Sequence, residues 1–333
     1  MNGSELQLNK SIGAGFKRSM SRFTKSYTIV IAIILLGIVF SFASPYFLNY
    51  DNLRNIILQS STISIVAIGQ AYILLAGEFD LSLGQNVTFS SCLAAYLMKF
   101  MNWNPWLAIL VGLTAASLVG LINGSLIAYV KIPAFIATLA MQNVCRGLAK
   151  IITNATPIPS LPAEIDFLGR GFIGGATYGI PTTVVIMVAF YIVFSFISRR
   201  TKFGRSIYAI GGGAEAAYFA GINVKKCRLF NFTLAGLLAG IGGTVLLSRL
   251  NSASVTNGMG YEFDAIIASV MGGISLSGGK GKIIQALFGA ILLTLFFNGM
   301  TMLDVHPFVQ DVLKGGVLLA AIYIDIVRNR KKN

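Results

Sequence analysis

Few residues in this chain have the types and spacing that covalent chemistry requires. His306 is the single histidine, and no H-E-x-x-H, G-x-S-x-G or EF-hand pattern occurs, so neither a histidine-based metal cluster nor a hydrolytic nucleophile can be assembled. Cys92, Cys145 and Cys227 are scattered without a C-x-x-C pair and read as packing residues. There is no G-x-x-x-x-G-K-[ST] phosphate loop. No catalytic residue, no metal and no cofactor bound by this chain are therefore expected. Hydrogen-bonding chemistry remains. Glu78, Asp80, Ser82, Gln85, Asn86, Asn123, Gln142, Asn143, Asn231 and Asn298 all lie inside or beside apolar runs. Amides and hydroxyls can exchange hydrogen bonds there without leaving a charge in hydrocarbon, whereas a carboxylate must be paired or solvated. Asp80 has two readings, a helix-capping acid at a membrane boundary or a group that gates a passage.

The elements that position these residues follow from composition. Of 333 residues, 55% are hydrophobic and 11% charged, too few charges to coat a soluble domain of this length. Mean hydropathy is +0.74. The net charge of +14 lies between long apolar runs rather than in a solvated patch, which argues for a bilayer and against nucleic acid. Clear apolar runs are Tyr27–Ala43, Trp106–Val130, Ile180–Ser198, Leu229–Leu250, Ile283–Leu303 and Phe308–Val327. Asn55–Ala76, Leu83–Lys99, Ile132–Thr153 and Glu262–Leu276 are weaker, and their polarity predicts inward-facing, broken or re-entrant helices. About ten spans result. The first is preceded by Lys10, Lys17, Arg18, Arg22 and Lys25, and it is too long for a signal peptide's apolar region. Starting inside, this count places the basic segment Arg199–Arg228, Lys131, Lys280, Lys282 and the tail 328–333 in the cytoplasm, and Asp51, Glu164, Asp166 and Asp304 outside. The expected organisation is a cytoplasmic segment 1–26, one membrane domain 27–327 and a basic tail 328–333. Gly77–Gly84 and Gly272–Gly279 share G-x-[FI]-x-L-S-x-G, too short a match to establish a duplication. Glu262 and Asp264 are expected to open a span, where acids favour a helix amino terminus.

The inner segment 199–228 is longer than a turn needs. Glu215-Ala216-Ala217 is helix-forming, preceded by Gly211-Gly212-Gly213 and followed by Gly221, predicting a short helix bounded by breakers with flexible glycines ahead of it. A loop that only set topology would explain Arg199, Arg200, Lys225 and Lys226, but not the apolar Ile207, Tyr208, Ile210 and Phe219. This segment is similar to the EAA-type docking loop of ABC-transporter permeases, in the branch that includes the ribose, xylose and galactose importers. GEFDLSLG at 77–84, GLINGSLIAYVKIPAFIATLAMQNVCRGL at 120–148, TKFGRSIYAIGG at 201–212 and GYEFDAIIASVMGGISLSGGKG at 260–281 resemble further motifs of that branch, in its order. Glu78 and Phe79 depart from its small and aliphatic residues, and Gly213 from its asparagine.

The resemblance implies an all-α, polytopic transmembrane helical permease with cytoplasmic termini in a prokaryotic cell membrane. It implies a second permease copy or paralogue, a cytoplasmic ABC ATPase that binds ATP-Mg, and an extracytoplasmic sugar-binding protein. Leu276-Ser277-Gly278-Gly279 imitates the signature loop of such ATPases, but without a phosphate loop the energy must come from another subunit. Gly204, Arg205, Gly213, Glu215, Ala216, Ala217 and Gly221 are the expected ATPase-coupling residues. The expected passage comprises Asp80, Ser82, Asn86, Asn123, Phe135, Gln142, Asn143, Asn231 and Asn298, suited to a neutral monosaccharide. An ion-gradient-driven transporter, or an ABC permease for a sugar-like signal, nucleoside or branched-chain amino acid, stands as the alternative.

Overall fold

In the computed structural model, residues 29–175 and 179–330 are described. The amino-terminal segment 1–26, and the last residues of the tail expected at 328–333, lie outside them. Helices dominate: α1 Ile29–Ala43, α2 Tyr50–Leu75, α3 Leu83–Lys99, α4 Pro105–Ser125, α5 Ala134–Thr153, the short α6 Asp166–Gly169, α7 Thr182–Arg200, α8 Lys202–Gly212, α9 Ala214–Phe219, α10 Val224–Leu250, α11 Tyr261–Gly272, α12 Ile283–Met302 and α13 Pro307–Arg330. Two antiparallel pairs of two-residue strands, Ile158–Pro159 with Ser252–Ala253 and Phe172–Ile173 with Ile180–Pro181, pin the loops at one end.

Each of the ten apolar segments contains a helix, and among the described residues six helices are long and apolar enough to cross a membrane: α2, α4 with its continuation to Val130, α7, α10, α12 and α13. α5 matches α12 in length, at 20 residues, but carries amides and cations. With 12 residues, α11 rises only about 18 Å, short of a hydrocarbon layer of about 30 Å. It is a partial helix, stopped by Gly273 in the left-handed region.

α10 is the centre of the bundle, packed on α2, α3 and α4. The buried core of α2, α10 and α12 combines aliphatic side chains with buried Ser60, Ser61, Thr62, Ser64 and Gln70. The outside is apolar instead, with Phe42 on α1 and Phe308, Val312 and Leu319 on α13 all exposed. That inversion of the soluble pattern suits a solvent of lipid tails.

Two sequence-based expectations need correction. Gly211 and Gly212 form the last turn of α8, not a flexible lead-in to α9. A Cβ on Gly211 would lie 1.9 Å from the Leu75 carbonyl and 2.4 Å from the Gly279 amide, so close packing of backbone on backbone is what requires glycine there. The span expected at Ile180 begins at Thr182, because Ile180–Pro181 pairs with Phe172–Ile173.

Candidate permeation and coupling sites

The loop 76–82 leaves α2 through Gly77, whose φ is 78°. It then delivers Asp80 to the start of α3. Asp80 Oδ1 accepts hydrogen bonds from the Ser82 amide (2.8 Å) and the Ser82 hydroxyl (2.6 Å). Asn123 on α4 donates to Ser82 Oγ (2.9 Å), and Thr138 on α5 accepts from the Leu81 amide (3.1 Å). Helices α4 and α5 are thereby tied to the loop that leads into α3. Asn86 donates to the Ala116 carbonyl (3.0 Å).

The first turns of α3 and α11 meet. Thr88 accepts from the Gly258 amide at 3.0 Å, and Glu262 Oε2 lies so close to Gly84 that a Cβ there would collide with it. Two helix amino termini carry partial positive charge, which Asp80, Glu262 and Asp264 offset. Gln142 on α5 donates to Glu262 Oε1 (2.8 Å), and Lys314 on α13 pairs with Asp264 Oδ1 (2.9 Å). Acids, amides and one lysine thus form a polar seam joining α3, α4, α5, α11 and α13.

The residues expected to line a passage fall into three groups. Asp80, Ser82, Asn86 and Asn123 are buried within the seam, and none lines the cavity of about 970 Å³ beside α9. Asn231 and Asn298 are buried elsewhere. Asn231 donates to the Tyr72 carbonyl (3.0 Å), while Asn298 and Asn52 exchange reciprocal amide hydrogen bonds of 2.9 and 3.1 Å. Phe135 and Asn143 are exposed on α5, where Arg146 and Lys150 are exposed too, and Gln142 is half-buried on the same helix. Sequence reasoning did not separate these groups, because polarity alone does not say which face of a helix a neighbour covers.

At the α8–α9 end, Thr201 caps α8 by accepting from the Gly204 amide (3.1 Å), and Gly204 packs against the Ser198 carbonyl with no room for a side chain. Arg205 is exposed, and its guanidinium donates to the Arg200 carbonyl (3.2 Å). α9 is bounded by Gly213 and by Gly221, which has φ 81°. Glu215 and Ala216 face outward and Ala217 is buried. The exposed apolar surface of α9 is the edge-to-face pair Tyr218–Phe219, residues 67% and 78% exposed. Tyr218 was not anticipated, since a six-residue helix has too little periodicity to show its inner face. Behind α9, the Tyr208 hydroxyl donates to the Gly281 carbonyl (2.9 Å), and burial raises its pKa above the ordinary value, keeping it a donor.

A helical bundle with an apolar exterior, a polar internal seam and an exposed amphipathic helix at one end defines a multi-pass membrane permease. The family model described as "Branched-chain amino acid transport system / permease component" matches residues 52–322, and the chain belongs to that family of ABC-transporter permeases. It is similar over its whole length to the probable ABC transporter permease protein YphD of Escherichia coli, 36% identical over 334 residues covering 99% of that protein. The ribose import permease protein RbsC of Bacillus subtilis is 39% identical over 91% of this chain and 92% of its own. The xylose transport system permease protein XylH of Escherichia coli is 31% identical over 99% of each. No solved structure matches. The chain is a transport subunit of the prokaryotic cell membrane.

Proposed function

We propose that this chain forms the passage of an ATP-driven importer for a monosaccharide, a ribose-like pentose or a hexose. A solute-binding protein delivers the sugar from outside, and a separate ATPase drives the cycle from the cytoplasm. The observation that carries the cargo reading is end-to-end likeness to ribose and xylose permeases. The basic residues of 199–228 support a cytoplasmic position for α8 and α9, with the amino end inside and about ten membrane-embedded segments within 27–327.

The passage runs along the exposed face of α5, opposite a second copy or paralogue. Arg146 and Lys150 on that face are costly against lipid, and a water-filled path between copies solvates them. Phe135, Gln142 and Asn143 then meet cargo. Asp80, Ser82, Asn86 and Asn123 hold the start of α3 behind that path. α9 docks on the ATPase through Tyr218 and Phe219, which is why an ion-gradient mechanism is disfavoured. In vesicles carrying the permease, its ATPase and its binding protein, we expect ATP-dependent uptake of D-ribose, D-xylose or D-galactose that survives an ionophore. Uptake of leucine and none of the sugars, or loss of uptake on collapsing ion gradients with ATP present, overturns the reading.

A further inference from the structure

A cavity of about 970 Å³ opens between α9 and the ends of α4 and α5. Glu215 and Tyr218 line one side, and Lys131, Pro133 and Ala134 another. α9 is therefore not braced against α4 and α5 across this space. It packs on α8 and α10, so a push on α9 enters the bundle through those two helices.

Near the start of α10, Arg228 reaches across to the loop 76–82. Its Nε lies 2.7 Å from Glu78 Oε1, with the two side chains 29% and 9% exposed, and both residues line the cavity. The contact is an ion pair without hydrogen-bond alignment, for Arg228 Nε and the second oxygen, Glu78 Oε2, are both buried without a hydrogen-bond partner. Separating such a pair strands the buried Glu78 charge, which opposes any movement of Arg228 that the loop does not follow. The loop has that hinge in Gly77, and two residues beyond Glu78 it carries Asp80, which sets the start of α3. We propose that the Glu78–Arg228 ion pair is the positioning contact that delivers movement of α9 and α10 to the loop 77–82, and through it to α3. The proposal rests on the coupling role given to α9 above.

Hydrogen exchange on the permease–ATPase complex in lipid, with and without ATP under non-hydrolysing conditions, reads both ends of this path. In the unaltered complex, α9 amides are protected by the ATPase, and exchange in 77–84 changes about tenfold when ATP binds. A Glu78→Gln/Arg228→Gln variant removes both charges, so no unpaired charge is left to disturb folding. It is expected to keep α9 protection and lose the response in 77–84. A response equal to that of the unaltered complex overturns the proposal, as does an unaltered complex whose 77–84 segment never responds. Unprotected α9 amides in the unaltered complex sink the coupling role itself, a separate result. Should the neutral variant not accumulate, the charge-reversed Glu78→Arg/Arg228→Glu chain decides. A recovered response supports the pair, and failure to recover it in folded, ATPase-bound chain overturns it.

Discussion

Asp80 does its visible work through one oxygen, Oδ1, which receives the Ser82 amide and hydroxyl. An asparagine offers the same acceptor, so Asp80→Asn is expected to retain ATP-driven uptake, whereas Asp80→Ala strands the Ser82 donors at a cost of about 1–3 kcal/mol. Thermal unfolding in detergent beside uptake in vesicles checks this. Loss of uptake in a stable Asp80→Asn protein shows that the ionised form is essential. That Asp80 must find polar partners was legible in its sequence, because an acid among apolar runs has to be paired or solvated. Asn123, which donates to the same Ser82 hydroxyl, was legible only as another polar residue. The Glu78–Arg228 contact was not legible at all, since the residues are 150 positions apart and nothing local couples them.

Elements with strong apolar runs, such as α4, α10 and α12, could be read directly, while α8 could not. Glycine has poor helix propensity, which made Gly211 and Gly212 look like a break, yet packing against Leu75 and Gly279 holds the helix through both. The two glycines should respond differently. Gly211→Ala is expected to destabilise the protein by about 1–3 kcal/mol or more through overpacking, and Gly212→Ala, with open space around it, to leave the melting temperature unchanged or slightly raised. Equal melting of both variants contradicts the packing described. On α9, burial of Ala217 makes it an anchor to the permease, while Phe219 is exposed; on the coupling role proposed above, Phe219 is the residue that meets the ATPase. Phe219→Asp should weaken ATPase binding by about 2 kcal/mol, or roughly thirtyfold, with the permease's own stability unchanged. Ala217→Arg should instead lower permease stability. Titrating purified ATPase against each variant in nanodiscs separates the two effects.

For the whole molecule, the orientation proposed from charge can be tested on nearly silent chemistry, because Cys92, Cys145 and Cys227 are all buried. A cysteine placed at exposed Gly212 is expected to react with an impermeant maleimide in inverted vesicles and to remain unlabelled in intact cells. The reverse pattern would turn the topology over. At that same end the two segments sharing G-x-[FI]-x-L-S-x-G come face to face, for Gly77, Gly211 and Gly278 approach one another as bare backbone. A seam of interdigitated side chains works like a gear, in which any shift must climb from one rotamer well to the next. This junction has no teeth. It resembles a plain bearing, held by the hydrogen bond from the Gly279 amide to the Leu75 carbonyl (2.9 Å) and free of side chains that would have to repack as the surfaces glide. Such a bearing would jam on a carbon atom added at Gly211 or Gly278, so the residues least able to vary here are two with no side chain.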